Sequence, residues 1–361
     1  MSGRRFPDEE SDSGGALLGA AAAADRLADA RRAAAAHELA RPLALAIDDE
    51  TRARAGLIVE HLIQSIEALL RGAEPLLDAA PGFDCAARFV GAGLLQRSGL
   101  AAAALARAEE HRLAAALVRG YGLAVEEEAP GARRLDPIGG TLAAESFAVR
   151  AAEATRLDRS GDPLLPLHDL SAEDRHALFW QVAACLADAA LATLGAAGPG
   201  SEETLHRAAE GAVARTLAAI DEADGIGAAA MRLAHGLRAA DQLDDALLAG
   251  TLAAGRIATL AALLAVRAGI GFDEAHAMLA MPARAALLLR GCDVARPVAA
   301  AMILALAIAL DRGVGPDPAE RAALLLQGFD RLGPDQARAA VRRARLEPLY
   351  RAGLAALGRA L

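Results

Sequence analysis

The apolar residues of this chain recur three and four apart, and no stretch alternates apolar with polar residues between hairpin turns. That spacing is the period of a helix buried along one face, not of a strand. The clearest instance is the stretch 48–71. There Leu57, Ile58, Leu62, Ile63, Ile66, Leu69 and Leu70 form one stripe behind Asp48 and Asp49, which suit a helix start. The residue types agree with the period. Hydrophobic residues make up 54% of the chain but aromatics only 3%, so Ala, Leu, Val and Ile must build the core. Ala and Leu lead the helix scale, whereas the residues that strands favour are scarce.

Punctuation divides the rest. Helices are expected over 16–40, 48–71, 85–96, 100–119, 141–157, 171–194 and 201–220. Shorter ones follow near 227–239, 243–248, 253–267, 274–279, 282–289, 297–310, 317–332, 334–346 and 348–357. Pro stands near many of the starts and Gly near many of the ends. Ser171 with Asp174 resembles a capping box, and Asp84 an N-cap. Residues 1–15 are polar and of mixed charge, which reads as a disordered tail and not as a secretory signal. Pro and Gly concentrate between 126 and 170. The expected domains are therefore 16–125 and 171–361, joined by a linker region, 126–170, that carries one helix. The fold class is all-α. Two arrangements stay open: stacked antiparallel helix pairs in a HEAT- or armadillo-like solenoid, or an irregular helical bundle.

Several chemistries are excluded by what is missing. All 38 basic residues are Arg, so a phosphate-binding P-loop lysine and a Schiff-base lysine are both ruled out. The net charge of −9 does not favour nucleic acid or an anionic membrane. Cys85, Cys185 and Cys292 lie far apart in sequence, with no Cys-x-x-Cys pair, and are read as buried free thiols of a reducing cytoplasm. The longest apolar run, 297–310, would span roughly 21 Å as a helix against the ~30 Å of a bilayer core. It is expected to be a buried core helix.

The segment 231–307 resembles a bacterial family known as domain of unknown function 2336. The likeness rests on Leu247-Leu248 followed by Gly255-Arg256, Leu260, the stretch 265–269, and Pro282 ahead of an apolar helix. Leu178-Phe179-Trp180 fits the same pattern, and coverage runs over about 170–330 and more weakly beyond. The resemblance implies an all-helical, repeat-like, cytoplasmic bacterial protein. It carries over no catalytic residue.

His168, Asp169, Glu173, Asp174 and His176 gather at a loop-to-helix junction that could bind a metal, but an ordinary helix start explains them. Glu173 and His176 make one Glu-x-x-His pair, and a di-iron bundle needs a second. Glu109, Glu110 and His111, beside Arg107 and Arg112, could form an acid–base pair but read as a solvated, salt-bridged face. His235 and His276 read as core or boundary histidines. Gly91, Gly93 and Gly99 follow no strand, so they make no dinucleotide fingerprint, and the turn at 195–200 leads into Glu202 and Glu203, which would repel an anion. The one feature with a functional reading is the basic C-terminal segment, where Arg338, Arg342, Arg343, Arg345 and Arg351 could dock an acidic partner or phosphate. The expectation is a non-catalytic helical scaffold for protein–protein interaction, without cofactor or metal, with self-association left open. The alternatives are a small-ligand binder or enzyme with a pocket between helices, or a weak nucleic-acid binder through the basic end.

Overall fold

The computed structural model describes residues 47–80, 82–97, 99–128, 140–194, 201–311, 313, 316–343, 346, 350 and 357. The expected segments 1–15, 16–40 and 195–200 and most of 348–357 lie outside them. The chain is all-α, with fourteen α-helices among the described residues. The only extended pairing there is an isolated bridge between Leu157 and Pro163.

Helix α1, Asp49–Ala73, carries Asp49 and Glu50 in its first turn and Arg71 in its last, as the helix dipole favours. Helix α2, Cys85–Gly91, opens on Asp84, whose side chain accepts the Ala87 amide at 2.9 Å. Helices α3, Leu100–Glu128, and α4, Ala143–Ala154, follow. Ser171 and Asp174 close the expected capping box ahead of α5, Ala172–Leu194: the Asp174 amide donates to Ser171 Oγ at 3.0 Å. Next come α6, Ser201–Ala218, α7, Ile226–Ala239, α8, Asp245–Ala253, and α9, Ile257–Ala268. The set ends with α10, Phe272–Leu279, α11, Pro282–Gly291, α12, Arg296–Ala309, α13, Pro318–Arg331, and α14, Pro334–Arg342.

Two apolar cores form. The first gathers α1, α2, the start of α3, α5 and α6, around Ile63, Phe89, Leu178, Phe179 and Val213. The second gathers α4 and α7–α14 with the later part of α3, around Leu233, Leu248, Leu263, Leu289 and Ile303. Helices α5 and α6 follow the Pro- and Gly-rich stretch in sequence, yet they pack with the elements before it. By length and composition α5 could cross a membrane, but half of its most apolar window is buried in the fold.

Helix α3 serves both cores by changing face. Leu100, Ala104 and Ala108, spaced by four, are buried in the first core, and Leu113 and Leu117, again spaced by four, in the second. The five-residue step from Ala108 to Leu113 turns about 140° on a helix, against about 40° for a step of four. The residues within that step sit where the two cores meet.

The expectation for 297–310 needs correction. Helix α12 is apolar after Arg296, but Leu304 and Ile308 stand exposed. The helix enclosed on every side is α9, in which ten consecutive residues from Ile257 to Val266 are buried. It packs against α7, α8, α10 and α11. A helix apolar all round belongs at the centre of a core, and α9 has the neighbours that place it there.

Candidate functional site

The face of α3 read as solvated is not. Arg107 and Glu110 are both buried, at 6% and 9% exposure, and they lie at the changeover between the cores. A buried carboxylate must find cations, and a buried guanidinium must find acceptors. Both come from the loop after α4. Arg156 clasps Glu110 through both of its Nη atoms, at 2.7 and 2.8 Å, in the two-pronged geometry that suits a carboxylate. Arg107 donates to the carbonyls of Leu164 at 3.0 Å and Arg156 at 2.8 Å, while Glu110 Oε2 lies 4.0 Å away.

The cluster continues to the start of α7. Asp169 Oδ2 lies 3.1 Å from Arg156 Nε, close enough for charge pairing though not aligned for a hydrogen bond. Its other oxygen accepts the Ile226 amide at 2.9 Å, so Asp169 caps α7 from outside that helix. Gly225 makes this approach possible. A Cβ there would stand 2.9 Å from the His168 carbonyl oxygen. Arg175 holds the same loop, donating to the Leu167 and Leu170 carbonyls and pairing with Glu222. From α10, His276 Nε2 reaches within 3.4 Å of Glu110 Oε2, with Phe272 stacked on its ring at 5.7 Å. Alongside, Glu153 accepts from Arg256 Nε at 2.9 Å and Thr259 Oγ1 at 2.8 Å, fastening α4 to the start of α9.

Electrostatics follow from this packing. Burial alone would raise the Glu110 carboxyl, but the His276 contact and Arg156 overcome it and hold the group well below the usual carboxylate range. Burial opposes the charge on Arg156 as well, and Glu110 more than compensates, so Arg156 is held above its ordinary value. Arg107 moves the other way. Burial, and then the neighbouring Arg156, bring it down to about 10. A carboxylate held this far from neutrality, with both oxygens on Arg156, is suited to bind cations and poorly suited to move a proton near pH 7.

The sequence candidates scatter. Of the junction set, Asp169 enters the cluster, His168 is half-buried beside it, and Asp174 is occupied by the cap and by the Gly99 amide at 3.0 Å. Glu173 and His176 are exposed, and the His176 ring lies 6.1 Å from that of Trp180. His276 is a boundary histidine, but His235 is exposed and belongs to neither the core nor its edge. Among the described residues, no group of three or more His, Cys, Asp or Glu side chains is arranged to hold a metal ion. On the basic segment, Ala337 and Val341 anchor α14 to the second core. Arg342 and Arg343 are exposed, and Arg338 pairs with Asp335 at 2.7 Å. Arg345 and Arg351 lie outside the described residues. Arg156, Glu153 and Arg256 carry the site, and of these the sequence singles out only Arg256, within the Gly255-Arg256 pair of the family resemblance and with no functional role. Nothing local marks them, since each meets its partner across a long sequence separation.

No curated protein and no solved structure matches the chain. A family model described as "Uncharacterised protein conserved in bacteria (DUF2336)" matches residues 139–342, a span that runs from just ahead of α4 to the end of α14 and holds Arg156, Asp169 and His276. The chain therefore belongs to the DUF2336 family of bacterial proteins.

Proposed function

We propose that this protein is a non-catalytic helical scaffold that holds a protein partner against its C-terminal helices. The observation that carries the reading is the outward face of α12. Leu304 and Ile308, one turn apart, are 39% and 54% exposed on a helix with no charged residue after Arg296. The adjoining α13 also carries an exposed apolar side chain, Leu324, at 64%. Large apolar side chains grouped on neighbouring elements are characteristic of interaction surfaces. On α14, Arg342 and Arg343 supply exposed positive charge on an acidic protein, which favours a partner with acidic residues. The reading includes helix pairs acting as repeats that present an extended surface, and a reducing bacterial cytoplasm, which the three buried free thiols support.

Photo-crosslinking in the native bacterium tests it. A photoreactive residue at position 308 should give one defined adduct, and the same residue at the exposed position 207 should not. Arg342→Glu with Arg343→Glu should weaken the adduct at 308. No adduct at 308, or the same products from both positions, would overturn the proposal.

A further inference from the structure

Two clefts flank the buried cluster, and they carry opposite charge. One, of about 480 Å³, is lined by Glu110, Asp169, Glu222 and Asp273 against Arg107 and Arg156. The other, of about 400 Å³, is lined by Arg107, Arg119, Arg156 and Arg256 against only Glu110 and Glu153. In this second cleft both carboxylates are already engaged, Glu110 by Arg156 and Glu153 by Arg256 and Thr259. Arg107 donates to carbonyl oxygens and leaves several of its five N–H groups uncommitted. Arg119 is exposed and makes no ion pair among the described residues.

The positive excess registers on a neighbour as well. Burial, and then Arg107 and Arg54, push His111 below the usual histidine range, and His111 lines the same cleft. Backbone polarity adds to it. Arg256, Ile257 and Ala258 bring the first turn of α9 to the cleft, and no side chain caps that helix start. The Arg256 amide donates to the Thr251 carbonyl and the Ile257 amide to that of Gly255, so it is the helix dipole that favours negative charge there. The turn is held close by Gly255, at φ +67°, where a Cβ would lie 2.8 Å from the Ala114 carbonyl oxygen on α3. Ala114, Val118 and Leu157 provide apolar walls.

We infer that the cleft between α3, the end of α4 and the start of α9 binds a small molecule through an oxyanion group, a phosphate or a carboxylate. The arginine excess receives the anion, and the apolar walls cover the remainder of a metabolite-sized ligand. This inference stands apart from the scaffold reading, since the cleft shares no residue with the outward face of α12.

Isothermal titration calorimetry on the full chain tests it, with inorganic phosphate and acetate as separate probes at constant ionic strength and chloride as the reference. Saturable binding of one or both is expected, and which probe binds distinguishes the two anion classes. Arg119→Gln, at an exposed position that should leave folding unchanged, should weaken binding at least about fivefold, in line with loss of one charged hydrogen bond. Arg207→Gln, outside the cleft, should leave it unaltered. Heats no different from chloride for both probes, or equal binding by wild type and Arg119→Gln, would overturn the inference.

Discussion

Two arginine–carboxylate pairs in this molecule share one spacing and have opposite surroundings. Arg107 and Glu110 on α3 stand three residues apart, as do Asp335 and Arg338 on α14. The α14 pair meets at 2.7 Å with the carboxylate side chain 96% exposed. In the α3 pair both side chains are nearly sealed, and the two depend on the loop after α4 more than on each other. An exposed pair gains little, because water solvates each charge almost as well as its partner does. A sealed pair cannot lose one member without stranding the other. The functional consequence of a charged pair is thus decided by the elements that close over it, not by its spacing along the helix.

Glu110→Ala should cost about 3–5 kcal/mol by urea denaturation, because it leaves both Nη atoms of the buried Arg156 without their acceptor. Asp335→Ala should not move the midpoint measurably. An equal effect at the two positions would erase the distinction. Gly225→Ala should follow, at about 1–3 kcal/mol, because the new methyl meets the His168 carbonyl and forces Asp169 off the start of α7. The same denaturation series would measure it.

Acidity gives a third and smaller effect. Glu110 is held well below its ordinary value of 4.5, so its stabilising contribution is complete above that value and is lost as pH falls below it. Thermal melts of wild type should therefore fall more steeply below pH 4.5 than those of Glu110→Gln, which has no carboxylate to protonate at this position. The smallest effect belongs to the exposed end of α14. Arg342→Gln with Arg343→Gln should shift Tm by less than about 2 °C, as surface changes do.

Much of the fold was legible in the sequence because helix period, caps and prolines are local signals. The α1 stripe, the Asp84 cap and the Ser171–Asp174 box all lie within a few residues of what they organise. Enclosure is not local. Helices α9 and α12 look alike as sequences, and only the packing of α7, α8, α10 and α11 around α9 tells them apart. The candidate site lay beyond reach for the same reason. Arg156 finds Glu110 across 46 residues, and Glu153 finds Arg256 across 103. One trace was present in α3: the five-residue step between Ala108 and Leu113 marks a change of buried face, and Glu110 falls inside it. A charged residue at such a step merits the expectation of burial over that of a solvated helix face.

Glu110 and Arg156 form a sealed pair on which the junction of the two cores depends. A double-mutant cycle with Glu110→Gln, Arg156→Gln and the double variant, each followed by urea denaturation, tests this directly. A coupling of about 2–3 kcal/mol is expected, near the upper end for residues in direct contact. A coupling below about 0.5 kcal/mol, the value of a solvated pair, would contradict it.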